Sequence, residues 1–288
     1  MLSGTDSAGH ATGQSCLFFA RVAMQSRLGQ ADLLIVPELF LTGYAIGADA
    51  VHRLAETRNG AVLAEVAAIA SDNRIAVVFG FAERDGDKVY NSAVAIGADG
   101  TTLGAYRKTH LFGDVDKQQF SEGRLPSDVF EINGLKVGLL ICYDVEFPEN
   151  TRSLALLGAD LIIMPTALMQ PYDVVARILV PARAHENQVY LAYCYRCGTE
   201  APFTYTGLSC VIGPDGADLA RAGSGEELIF ADISLEALEQ STQHNTHLHD
   251  RRPEFYGALI KDMPARRNSP STSRLVETRC HDSAGPRQ

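Results

Sequence analysis

No apolar stretch of this 288-residue chain reaches membrane-spanning length. The N-terminus lacks a basic segment followed by an apolar core, so no secretion signal is expected. Cationic excess is missing too. The 25 Lys and Arg face 35 Asp and Glu, a net charge of −10, which argues against nucleic-acid affinity. Cysteine is sparse, and six in this length do not suggest a disulfide framework. Cys194 and Cys197 have the spacing of half a zinc site, but no second Cys pair completes it. Gly223-Ser224-Gly225 is too short for a phosphate loop and reads as a turn. His244, His247 and His249 fall in a polar loop and read as structural, so no metal site is expected. These exclusions leave a soluble, cytoplasmic chain with a reducing compartment suited to free thiols. The apolar share of 46% is ordinary for a globular protein.

Short apolar runs organise what is there. Ala31 to Pro37, Arg74 to Phe81, Leu135 to Ile141, Ala159 to Pro165 and Val189 to Cys194 read as buried strands. Lys88 to Ile96 and Thr101 to Tyr106 flank the turn Gly97-Ala98-Asp99-Gly100 as a hairpin. Val51 to Ala70 and Glu149 to Leu157 have helical spacing. The first and fourth runs echo each other, and both end in Pro, as two related halves with one per sheet would. The strand pattern never pauses, so one domain is expected. Residues 1–15 are small and polar and read as disordered. Residues 262–288 read as a flexible tail. Leu17 to Leu28 supplies a helix, and either Cys16 to Ala20 stands in for a first strand or the sheet lacks one.

Three strand ends carry chemistry. Cys142 closes Leu135 to Ile141 and precedes a turn and a helix, where free backbone N–H groups suit a thiolate nucleophile. A buried core cysteine is the plain alternative. Glu38 follows Pro37 among apolar neighbours, either solvated by a turn or held in a pocket with a raised pKa, as a general base would be. Lys108 ends the hairpin, a place where lysine is ordinarily a solvated charge. Together they make a coherent set, because an unperturbed thiol is only a few per cent ionised near neutrality.

Pro37-Glu38-Leu39-Phe40, Tyr106-Arg107-Lys108-Thr109-His110-Leu111 and Cys142-Tyr143-Asp144-Val145-Glu146-Phe147-Pro148-Glu149 resemble, in order, the three catalytic motifs of the nitrilase superfamily, the carbon–nitrogen hydrolases. Pro165-Thr166-Ala167, Ala182 to Asn187, Gly213 to Gly216 and Asp250 to Glu254 extend the resemblance over roughly residues 31 to 258. It implies a four-layer α-β-β-α sandwich spanning residues 16–261, a Glu38-Lys108-Cys142 triad, and no metal or organic cofactor. Relatives add a second glutamate four residues before a Phe. Counting back from Phe120 gives Asp116, with Glu122 as the alternative.

The resemblance implies a cysteine-dependent amidase acting on a small-molecule carboxamide through a thioester. Lys108 and the Tyr143 N–H would hold the oxyanion. Tyr143, Glu146, Leu168, Met169 and Tyr172 are the candidate substrate-binding residues. Arg183, Glu186 and Asn187 are assigned to a buried polar network. An N-carbamoyl amine or amino-acid hydrolase is the nearest alternative, with Arg177 or Asp173 meeting the substrate's far charge. A nitrilase comes next, and a catalytically inactive binding protein is the alternative of another class. Relatives pair through helices beside the site and through C-terminal segments. Leu248, Phe255, Tyr256, Leu259 and Ile260 suggest the same surface here, hence a homodimer or a multiple of it.

Overall fold

The structure is a computed structural model that describes residues 20–261. The expectations for residues 1–15, 16–19 and 262–288 lie outside the described residues. Ala20 opens the described part of a helix, α1, over residues 20–28. Two units are present, one ending at Asp250 and one starting at Arg251. The second shows two 3-10 turns, Pro253–Phe255 and Gly257–Ile260. Among the described residues no helix is long and apolar enough to cross a membrane.

The first unit is built on two sheets. One contains β1 (Leu33–Ile35), β2 (Ala76–Asp85), β3 (Lys88–Ile96) and β4 (Thr102–Arg107), side by side in that order. The other contains β5 (Val129–Ile132), β6 (Leu135–Leu139), β7 (Leu161–Thr166) and β8 (Tyr190–Tyr195). A separate hairpin, β9 (Cys197–Glu200) and β10 (Phe203–Thr206), precedes its last two strands, β11 (Cys210–Ile212) and β12 (Asp218–Arg221). Its order is β12-β11-β8-β7-β6-β5.

Strand alternation assigns each face. Val77, Phe79 and Phe81 on β2 share a core with Val22 and Ala23 of α1 and with Leu63, Val66 and Ala70 of α3 (Ala61–Asn73). The intervening Ala76 and Val78 face the second sheet and pack with Ala93, Ala95, Val137 and Leu139. Small residues let the sheets approach: a Cβ on Gly104 of β4 would lie 2.3 Å from Phe130 of β5. On the far side, a Cβ on Gly138 would lie 2.8 Å from Leu154 of α5 (Pro148–Leu156). Val180 and Ala184 of α6 (Val180–Asn187) join the same core. The layers are therefore α-β-β-α. Each wholly buried side chain such as Phe79 contributes roughly 1.5–3 kcal/mol by leaving water.

Two expectations need correction. Val51 to Ala70 is two helices, α2 (Ala48–Leu54) and α3, not one. Between them the Glu56 N–H donates to Ala82 O (2.9 Å) and Arg84 N–H donates to Glu56 O (2.8 Å), so the sheet claims the backbone that a continuous helix would need. Pro165 does not end its strand. By that point β6 has stopped pairing and β8 alone pairs with β7, at Pro165–Cys194 and Thr166–Tyr195, so the missing proline N–H costs no second ladder. The echoed segments do fall one per sheet, on β1 and β7.

Candidate active site

Glu38 is placed by a close approach of backbone to backbone. The Val36 N–H still donates to Val78 O (2.9 Å), and Phe40 N–H donates to Gly80 O (3.1 Å). A Cβ on Gly80 would sit 2.5 Å from Leu39 N and 2.8 Å from the Glu38 Cα, so only glycine admits the loop. The Glu38 side chain is fully buried. Its Oε1 accepts from Asn91 Nδ2 (2.7 Å) and Lys108 Nζ (2.8 Å). Its Oε2 has no partner among the described residues. Burial raises the Glu38 pKa, and the Asp116 charge adds to this against the opposing effect of Lys108.

Lys108 is held from the backbone, its N–H donating to Asn91 O (2.8 Å). Its Nζ reaches Asp116 Oδ2 (2.7 Å) as well as Glu38, and all three side chains are fully buried. Two of its three N–H groups are thus given to carboxylates. Burial alone would push the ammonium down, but Asp116 and Glu38 together hold it well above its ordinary value. Asp116 comes from the short helix α4 (Gly113–Lys117), and its Oδ2 also accepts from Phe112 N–H (2.9 Å). Glu122 is exposed. Of the two acidic candidates, Asp116 makes the contact with Lys108.

Cys142 sits where β6 gives way to a 3-10 turn, Cys142–Glu146. Its φ of 47° is left-handed, a conformation costing a non-glycine residue about 1–3 kcal/mol. The thiol is buried and receives the Ala167 N–H. Burial pushes its pKa well up, Glu38 pushes the same way, and Lys108 opposes them. Arg183 caps the turn from α6: Nε donates to Val145 O (3.1 Å) and Nη2 to Glu146 O (3.2 Å), while Nη1 meets Glu186 (3.0 Å). Asn187 Nδ2 returns to Arg183 O (2.8 Å), so this trio forms the polar network expected of it.

The remaining candidates divide. Tyr143 lies in the first turn of the 3-10 helix, where the N–H has no helical partner. Its ring meets Phe112 at 5.3 Å and Phe147 at 5.0 Å. Tyr172 is partly exposed, its ring 6.0 Å from Phe112. Phe112, Tyr143 and Tyr172 thus form an aromatic group beside Cys142. Glu146 is half-buried, its pKa raised by burial against the pull of Arg183. Leu168 is buried in the core shared by the sheets, and Met169 is buried with Leu39, Tyr44 and Tyr205. Arg177 and Asp173 pair with each other (3.2 Å). Cys194 donates to Ile35 O (3.3 Å). His244 ends the helix α7 (Leu235–His244), and His247 meets the His185 ring at 5.4 Å.

Asn91 was not anticipated. The signal was available: one amide at the head of the short apolar run Ser92-Ala93-Val94-Ala95-Ile96, and the structure leaves it no exposure at all. A buried amide of this kind must bond to something.

Together, the buried Lys-bridged carboxylates and the strained thiol elbow can generate a nucleophile, hold developing negative charge and relay a proton. Known proteins carry the same arrangement of chain. The carbon–nitrogen hydrolase family model matches residues 10–243. A protein described as a hydrolase in the pqqF 5′ region of Pseudomonas protegens is 48% identical over 242 residues, 84% of each chain. An (R)-stereoselective amidase of a Pseudomonas species is 35% identical over 85% of this chain and 88% of its own. A solved amidase from Nesterenkonia superposes with a TM-score of 0.75 at 32% identity, covering 86% of this chain and 91% of that one. A form of that amidase carries an acetamide moiety covalently added to its active-site cysteine, with a TM-score of 0.74, 32% identity and coverage of 85% and 90%. The chain belongs to the carbon–nitrogen hydrolases of the nitrilase superfamily, on their amidase-like branch.

Proposed function

We propose that this chain hydrolyses small carboxamides to the acid and ammonia, with Cys142 as nucleophile. The observation that carries the reading is Glu38 Oε2, which has no partner among the described residues: a fully buried carboxylate whose other oxygen is already occupied by Lys108 and Asn91. Sγ of Cys142 attacks the amide carbon and its proton passes to Glu38 Oε2. The remaining Lys108 N–H and the Tyr143 N–H take the oxyanion. The C–N bond then breaks, and Glu38 returns its proton to the departing nitrogen, which leaves as ammonia. Water attacks the thioester, losing its proton to Glu38. The acid departs and that proton restores the thiol. Asp116 holds Lys108 in place throughout.

Amides are favoured over carbamoyl compounds by the mutual pairing of Arg177 and Asp173, which leaves neither as a ready counter-charge. The aromatic group of Phe112, Tyr143 and Tyr172 suits a partly apolar acyl group. Ammonia release from a panel of carboxamides, carbamoyl compounds and nitriles tests this. Carboxamides should turn over fastest. Cys142→Ser should lose essentially all turnover at unchanged circular dichroism, and Lys108→Met should lose about 100-fold or more. Preferential hydrolysis of nitriles or carbamoyl compounds would overturn the substrate class. Retention of more than about a hundredth of the rate by Cys142→Ser would remove the nucleophile.

A further inference from the structure

Asp144 lies two residues beyond Cys142 and is fully buried. It belongs to neither the charge pairs around Lys108 nor the aromatic group. Its two oxygens divide five donor groups between two segments of chain, and Oδ2 meets both segments. Oδ2 accepts from the N–H of Ile141 (3.1 Å), the residue before the nucleophile, and from the Tyr106 hydroxyl (3.0 Å). Oδ1 accepts from the His110 N–H (3.1 Å) and the Thr109 hydroxyl (3.2 Å), and His110 Nδ1 lies 2.9 Å from it. Tyr106, Thr109 and His110 bracket Lys108 in the chain. One carboxylate therefore ties the cysteine elbow to the lysine segment. The Asp144 N–H also donates to Ile141 O (3.1 Å), and Asn150 Nδ2 donates to Asp144 O (2.9 Å), so the bridge is itself anchored.

We propose that Asp144 is a positioning residue that sets the Cys142 thiol against the Lys108 ammonium. The proposal rests on Cys142 being the nucleophile. The division of the carboxylate explains why an acid is needed. Asparagine keeps the shape but has one accepting oxygen: placed at Oδ2 it keeps Ile141 and Tyr106 and turns an NH₂ group to the Thr109 and His110 donors, and placed at Oδ1 it loses Ile141 and Tyr106. Either way the link between the elbow and the lysine segment loses part of its hydrogen bonding. A misplacement of about an ångström, even away from the reacting atoms, costs about 100-fold in rate.

The sign of one measurement separates positioning from plain charge. Deleting a nearby anion by itself favours the thiolate and would move the pH dependence of thiol alkylation down. Drawing Lys108 out of register removes the group that favours the thiolate and moves it up. A merely structural aspartate would change thermal stability and leave both the profile and kcat alone.

The experiment compares wild type, Asp144→Asn and Tyr106→Phe by amide turnover and by iodoacetamide alkylation of Cys142 across pH, followed by mass spectrometry. In Asp144→Asn, kcat should fall about 100-fold with KM changed less than about three-fold, and the alkylation profile should move upward. Tyr106→Phe deletes a single donor to Oδ2 and should give the same pattern with a fall of about ten-fold, which serves if the first variant does not fold. Wild-type kcat in a folded Asp144→Asn or Tyr106→Phe protein, or a profile that stays put or moves down, overturns the proposal. Alkylation of wild-type Cys142 without loss of turnover would instead overturn the nucleophile, and this inference with it.

Discussion

Replacing Asp116 by Asn isolates a charge. Among the described residues, Lys108 Nζ at 2.7 Å and Phe112 N–H at 2.9 Å both donate to Oδ2 of Asp116, and Oδ1 has no partner. An amide oxygen in the Oδ2 position can accept both, so shape and hydrogen bonds survive while the charge is lost. Two unit charges at that separation attract by about 6 kcal/mol at an effective dielectric constant of about 20, most of it offset by the cost of burying them. What remains visible is the effect on neighbours. The Asp116 charge pushes the pKa of Glu38 up, pushes that of Lys108 up and pushes that of the Cys142 thiol up. Without it, Glu38 becomes the sole counter-charge of Lys108 and a weaker base. The acid limb of kcat/KM should therefore move to lower pH, because Glu38 loses its proton earlier. Turnover on the plateau should fall about 100-fold, equivalent to about 2.7 kcal/mol of barrier. Glu122→Gln, at an exposed position, should stay within about two-fold. Initial rates of ammonia release across pH are the assay. An acid limb that is unmoved or displaced upward, with kcat within about three-fold of wild type, would refute the reasoning.

Glu83 supports the fold outside the site. Burial raises its pKa, but hydrogen bonds from Arg107, Ser92 and Arg58 outweigh that and hold it below its ordinary value of 4.5. A depressed folded pKa contributes stability above 4.5 that is lost as pH falls through the folded value. Glu83→Gln should cost about 2–3 kcal/mol near neutrality, discounted because Arg58 and Arg107 are partly solvated, and should flatten the acid decline of Tm below pH 4.5; a decline as steep as wild type's would assign it elsewhere. For assembly, we propose a homodimer using exposed Leu156 and Leu157 at the end of α5 and Val174 and Ile178 before α6. Light scattering should give twice the chain mass, falling on Leu157→Asp with Ile178→Asp, and a monomeric wild type would end the idea.

The three strand ends were legible because each pairs a short apolar run with one reactive residue. The runs before Glu38 and Cys142 and the hairpin before Lys108 all became strands. Asp116 was reached by counting from Phe120 under the family resemblance, and the burial of its carboxylate against Lys108 gives that count a physical meaning. Asn91 stayed hidden because strand patterns mark which residues are buried, not which buried polar group a distant loop will need. Gly80 stayed hidden for a similar reason: the loop it admits is 42 positions earlier in the chain, at Glu38. The break between α2 and α3 was missed because Thr57-Arg58-Asn59-Gly60 is a weak stop, and the decisive event is the bridge between Glu56 and β2.

A buried thiol with a pKa pushed well up looks unsuited to attack, yet the relevant comparison is not with water. Burial raises the pKa of Cys142 and of Glu38 alike. In the proposed transfer of a proton from Sγ to Glu38, one buried anion disappears as another forms, so the desolvation penalty shared by both acids largely cancels. Lys108 stays charged, because its own pKa is held well above the ordinary value by two carboxylates. The pair Lys108–Asp116 is thus neutral before and after, and it leaves one negative charge to be shared between the base and the nucleophile. Attack then depends on the difference between the two acids, set by how closely each approaches the ammonium. Glu38 Oε1 is already fixed 2.8 Å from Nζ by the loop over Gly80. The adjustable distance is that of the thiol, which the cysteine elbow determines. A site with so much charge out of water is therefore governed by small displacements of its backbone. That is where the carboxylate of Asp144, bonded both to the elbow and to the lysine segment, would exert the control proposed for it.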